Sequence, residues 1–221
     1  MVLAPPWCGS AGNLGRGFVT TACQDVGMSD PKAVLHRYLQ VGRDSVLWKL
    51  DGLSEYDARR PLVPTGTNLL GLVKHLASVE LGYFGDSFGR PHGEDLPWFD
   101  EGAEANADMW ATPTETRDDI IALYRRAWAH SDATIEENDL DSMARVSWWP
   151  PDEADVSLHL LLIHVATETH RHAGHADIIR ELIDGSAGLI EGRENLPDGD
   201  PLWWADYRKR LEQAAEQFKG A

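Results

Sequence analysis

One long helical segment, near residues 155–184, constrains this chain more than any other feature. It carries His164, Glu168, His172 and His175 along a single flank. At about 100° per residue, positions 164, 168 and 172 step round by only about 40° each, and position 175 falls back between 164 and 168. Leu161, Val165, Ile179 and Ile183 project in nearly the same direction. The polar cluster is therefore expected to point into the core. A carboxylate and imidazoles buried that way are costly unless they are paired, hydrogen-bonded or bound to a metal. Other elements must supply the partners, and the function should lie where they meet.

Those elements read as helices. A first helix begins at Ser29-Asp30-Pro31, a cap followed by Pro at the first helical position, and runs to about Leu50. Its expected core stripe is Val34, Leu35, Tyr38, Val41, Leu47 and Trp48. Thr67 can cap a second helix through about Phe84, with His75 set among Leu69, Leu72, Val73, Leu76, Val79 and Tyr83. Thr112-Pro113-Thr114-Glu115 reads as a capping box for a third helix to about Glu137. The fourth starts at Asp155 or Ser157 and stops at Gly185. A last helix, roughly 201–218, follows Asp200-Pro201 and bears Trp203, Trp204, Tyr207 and Leu211. No alternating strand pattern is legible. The expected architecture is all-α: a four-helix bundle with an extra C-terminal helix packed beside it. The long connection 85–111 allows a crossover topology, and a connection of that length is often functional.

Charge and cysteine content narrow the partners. A net charge of −16 argues against nucleic acid and against anionic membrane surfaces. No apolar run approaches the ~20 residues that span a bilayer. Both cysteines, Cys8 and Cys23, fall in residues 1–27, a Gly/Pro/Ala-rich stretch without helical period. That stretch reads as a disordered tail, or as an upstream extension before Met28, with the bundle occupying 28–221. The rest of the chain has no thiol of its own, so any thiol chemistry needs a small-molecule thiol, and a reducing cytoplasm fits best.

Bundles build metal sites from side chains on facing helices. Glu168 and His172 are an i, i+4 pair, and His75 is their natural partner on the second helix. Two imidazoles and a carboxylate form a set used by catalytic zinc, and nickel or ferrous iron would also accept it. A reading of His75 as an ordinary hydrogen-bonded core residue stays open from spacing alone. His164 and His175 are outer partners or alternative ligands, whereas His159 and His170 fall on the opposite, exposed side. His36, His92 and His130 join no constellation. Arg171 either binds an anionic group or snorkels to the surface. Trp148 and Trp149 either wall a substrate pocket or simply pack.

The stretch HVATETHRHAGHADIIRELIDG at 164–185 resembles the fourth-helix signature of the DinB-like superfamily. The likeness is to its actinobacterial branch, with mycothiol-dependent maleylpyruvate isomerase and thiol S-transferases. GTNLLGLVKHLASVELGYFGDSFGRP at 66–91 is similar to that family's second helix, and DPLWWADYRKRLEQAAEQF to the branch's ending. The resemblance implies an antiparallel four-helix bundle holding a divalent metal on His75, Glu168 and His172. It also implies mycothiol as cosubstrate. The Ala-Gly-His that follows His172 matches the mycothiol-linked branch. No second domain like that of the isomerase is legible, which favours a stand-alone S-transferase that conjugates the thiol to an electrophilic small molecule in detoxification. A metal-dependent hydrolase and a non-catalytic, metal-stabilised binding module are the alternatives. Bundles of this size often dimerise, but no interface stripe for a homodimer is legible.

Overall fold

The computed structural model describes residues 30–220, apart from 193 and 195. The expected tail at 1–27, with Cys8 and Cys23, lies outside the described residues. Four long helices carry the structure: α1 (Pro31–Trp48), α3 (Leu69–Glu80), α4 (Arg117–Glu137) and α5 (Leu158–Asp184). A short α2 (Glu55–Arg59) sits between α1 and α3, and α6 (Pro201–Glu216) follows α5. None of the described helices is long and apolar enough to cross a membrane.

The sense of each helix follows from its cross-contacts. Along α1, Tyr38 O accepts from His170 at 2.9 Å and Lys49 Nζ meets Asp177 at 2.6 Å, so α1 and α5 run together. Lys32 Nζ reaches the carbonyl of Asn138 at 2.7 Å and Arg43 lies over the Trp128 ring, so α4 opposes α1. Tyr83 meets His164 and His75 meets Glu168, so α3 opposes α5. Helices α3 and α4 therefore run in the same sense, and the 86–116 connection is the crossover that permits it.

Local signals were mostly read in place, with five corrections. The second helix is capped by Asn68, whose Oδ1 accepts the Gly71 N–H at 2.8 Å, not by Thr67. Glu115 does accept the Thr112 N–H at 2.7 Å, but that turn precedes the helix, and Thr116 is the cap of α4. The buried face of α1 is Leu39, Gly42, Arg43, Ser45 and Val46, leaving Tyr38 exposed. A hydrophobic count could not place that face, because an ion-paired Arg sits at its centre. Two three-residue strands, β1 (Met143–Arg145) and β2 (Asp155–Ser157), pair antiparallel with Ala144 opposite Val156. Finally, α6 forms with Asp200 as its cap, yet none of its residues is buried.

The core divides in two. One cluster joins α3 and α4 to Ala173, Ala176 and Ile179 of α5. The other joins Leu39 and Phe84 to Leu158, Leu161, Leu162 and Val165. Polar side chains fill the waist between them. There Arg43 and Glu80, both fully buried, form a two-pronged pair with Nε–Oε1 at 2.8 Å, and Arg43 Nη1 also reaches Asp132 at 2.7 Å. Burial disfavours the Arg43 charge, but the two carboxylates outweigh that and hold the guanidinium protonated.

Candidate metal centre

The same waist brings α3 against α5 at His75, Glu168 and His172. Their ligand atoms all lie within 4.8 Å of one another, and no other such group of three occurs among the described residues. His75 Nε2 lies 3.8 Å from Glu168 Oε1, and His172 donates its Nε2–H to that oxygen at 2.9 Å. Burial alone would raise the Glu168 pKa. The charges of His172, His75 and Arg171 and the His172 hydrogen bond overcome it, and hold the carboxylate below its ordinary range. Burial first, and then the neighbouring His75, push His172 below the usual imidazole value. At neutral pH Glu168 is thus a carboxylate beside a neutral His172, the protonation states a cation requires of those two groups.

Outer partners orient both rings. Asp108 accepts a hydrogen bond from His75 Nδ1 at 2.6 Å, which leaves the Nε2 lone pair facing Glu168 and His172. His175 Nδ1 lies 3.2 Å from His172 Nδ1. One of these two nitrogens must donate and the other accept. With His172 Nε2 given to a cation, its Nδ1 would carry the proton and His175 Nδ1 could accept it. His75 Nε2, Glu168 Oε1 and His172 Nε2 would be the donors to such an ion. The donor set, its protonation and its outer partners fit a divalent metal.

Asp108 was not read from the sequence, and a dedicated clamp holds it in place. It sits in a 3-10 turn, Ala107–Met109, inside the long connection. Two residues, the cap Asn68 and Lys74 of α3, grip that turn. Asn68 Nδ2 donates to Met109 O at 3.1 Å, and Lys74 Nζ donates to Ala107 O and Trp110 O at 3.0 and 3.1 Å. Lys74 is buried, paired with Glu115 at 2.8 Å and set over the Trp98 ring. Between them, Gly71 lets the loop lie against the helix: a Cβ there would stand 1.8 Å from the Met109 carbonyl oxygen. Gly71→Ala should therefore lever the loop away. We expect a loss of about 1–3 kcal/mol from overpacking and metal affinity weakened roughly 10- to 100-fold as Asp108 withdraws from His75. Thermal unfolding and zinc competition against a chromophoric chelator measure the two effects. Unchanged affinity would show that Asp108 does not support the site.

Asp108 also gives the metal-free protein an acid-sensitive element. The hydrogen bond from His75 outweighs burial and holds its carboxyl below the usual value. A depressed carboxyl stabilises the fold above the unfolded pKa, and the stabilisation is lost as pH falls through the folded one. In chelator-treated protein, Asp108→Asn should flatten the loss of stability below about pH 4. An unaltered acid limb would refute this.

Beside His75 opens a pocket of about 450 Å³, walled by Ser78, Val79, Gly82, Tyr83, Asp86, Leu96, Phe99, Asp108 and Trp148. A family model described as mycothiol-S-transferase matches residues 34–185. That is more than half of the chain. The chain belongs to the mycothiol S-transferase family. No curated protein matches it. The stretch matched by the mycothiol S-transferase model runs from α1 to the Gly185 cap of α5, where φ is 80°, and leaves α6 outside.

Around this candidate site the remaining expected residues separate. Trp148, half exposed, packs over Gly82 and Tyr83 on the pocket wall. Trp149 Nε1 donates to the Tyr83 hydroxyl at 3.2 Å, and His164 Nε2 meets that hydroxyl at 3.1 Å. His164 thus contacts Tyr83, and His175 contacts His172. Arg171 is exposed and lies outside the pocket wall, reaching the site through its charge on Glu168. His159 is exposed, but His170 is half-buried and bonded to α1, contrary to expectation. The close approach of α1 at Gly42 brings its backbone within reach of that ring. His36 bonds Asp132 at 2.7 Å, and His92 and His130 lie with ring centres 6.2 Å apart.

Proposed function

We propose that this protein transfers the thiol of mycothiol to an electrophilic small molecule at a divalent metal held by His75, Glu168 and His172. The observation that carries this reading is the meeting of those three side chains beside a pocket, in a chain of the mycothiol S-transferase family. When bound, a zinc ion, or nickel or iron in its place, supplies a Lewis acid that favours thiolate over thiol at neutral pH. Asp108 fixes the His75 tautomer, and the contact with His175 holds the His172 ring, so the donor atoms keep their direction as a substrate enters. Val79, Leu96, Phe99 and Trp148 give the pocket an apolar side that displaces water and holds the electrophile near the sulfur. Detoxification in the reducing cytoplasm, where a small thiol stays reduced, agrees with this chemistry.

The test is a zinc-loaded assay with mycothiol and an alkylating electrophile, iodoacetamide, following thiol loss. Saturation in mycothiol, with glutathione much poorer, is the expected result. Saturable ester or amide hydrolysis without any thiol, and no thiol loss, would favour a metal-activated-water hydrolase instead. Tightly held metal with neither activity would leave a structural role. The oligomeric state follows from light scattering, where a dimer is expected.

A further inference from the structure

Helix α3 does not end as an ordinary helix. Its last turn, Leu81–Gly85, is a π-helix, a rare form found mostly as single turns at functional sites. A π turn rotates less per residue than an α turn. It therefore turns Tyr83, eight residues beyond His75, back toward the face that His75 occupies, and both side chains line the same pocket. At the far side of the ring, the Tyr83 hydroxyl meets Trp149 and His164. An indole N–H can only donate, so the Tyr83 oxygen is an acceptor there. When His164 Nε2 carries its proton, it donates as well. The oxygen then accepts twice, and its own O–H is left free for a third partner.

We infer that Tyr83 is a catalytic acid for electrophiles whose opening leaves charge on oxygen, epoxides above all; this rests on the thiol-transfer reading. As the sulfur attacks a ring carbon, the C–S bond forms and the ring C–O bond breaks. The electron pair goes to the oxygen, which takes the proton of the Tyr83 hydroxyl. The phenolate left behind regains its proton from solvent. The product is a β-hydroxy thioether, and no oxidant or reductant is consumed. An alkyl iodide needs no such proton, because iodide leaves as a stable anion.

The two electrophile types therefore separate the roles. Zinc-loaded wild-type protein and Tyr83→Phe are compared with mycothiol and either styrene oxide or iodoacetamide. We expect the kcat/KM for the epoxide to fall by about 10²-fold or more in Tyr83→Phe, with the iodoacetamide rate falling far less. Zinc content and the thermal melt show that the variant is folded and metal-loaded. Trp149→Phe, which keeps the ring but loses the N–H, should reproduce part of the epoxide loss. An equal fall with both electrophiles, or no fall with either, overturns the role of Tyr83. So does a wild-type protein that uses iodoacetamide but not the epoxide, which leaves the transferase reading standing. A wild-type protein inactive with both contradicts the transferase reading itself.

Discussion

Glu168→Ala should purify without stoichiometric metal and lose thiol transfer by roughly 10³-fold, the equivalent of several kcal/mol of transition-state stabilisation from a bound ion. Glu168 is the one carboxylate of the three, with His172 at 2.9 Å and His75 at 3.8 Å. Without the carboxylate, two imidazoles remain with ring centres 4.9 Å apart and no anion between them to offset a cation's charge. Glu168→Gln is the informative companion, because it keeps the shape and one oxygen acceptor but removes the charge. It should bind metal weakly and recover activity only in excess zinc. Metal analysis after dialysis, with rates at rising zinc, reads both. Wild-type metal content in Glu168→Ala would mean that the ligands lie elsewhere.

Glu80→Ala should cost about 3–5 kcal/mol, because it strands a buried guanidinium. Arg43 is fully buried, and its remaining partners would be Gln40 and Asp132, the latter about one-third exposed. For a chain of this size that is a fall of roughly 10 °C in melting temperature. Replacing Arg43 and Glu80 together by Met and Leu should cost far less than either single truncation, since no charge is left unpaired. The pair ties α1 to α3 about 7.5 Å along the helix axis from His75. Loosening it should therefore also weaken metal retention before the protein melts. A loss below about 1 kcal/mol in Glu80→Ala would show that Arg43 finds solvent or a new partner.

Legibility from sequence tracked the range of the interaction. The Glu168–His172 pair and its alignment with His75 were readable because helical periodicity on α3 and α5 predicts which faces meet. The Asp108 contribution was not, since a contact 33 residues along the chain, delivered by an irregular turn, leaves no period. A hint was present in the length of the connection and in Gly71, which interrupts an otherwise apolar helix start. The α1 face was misplaced because Arg43 and Gly42 occupy its centre, and both look like surface or turn residues to a hydrophobic count. The small sheet escaped because three residues are too few to display an alternation. The π turn that aims Tyr83 carries no sequence signature comparable to a cap.

Thiol transfer as a function of metal occupancy tests the central claim most directly. Protein stripped with a chelator and dialysed would be titrated with zinc, while mycothiol consumption by iodoacetamide is followed at each step. The account predicts a rate near background at zero occupancy that rises linearly and breaks at one zinc per chain. A full rate in the stripped protein, or no rate at one equivalent of zinc, nickel or iron, would contradict it.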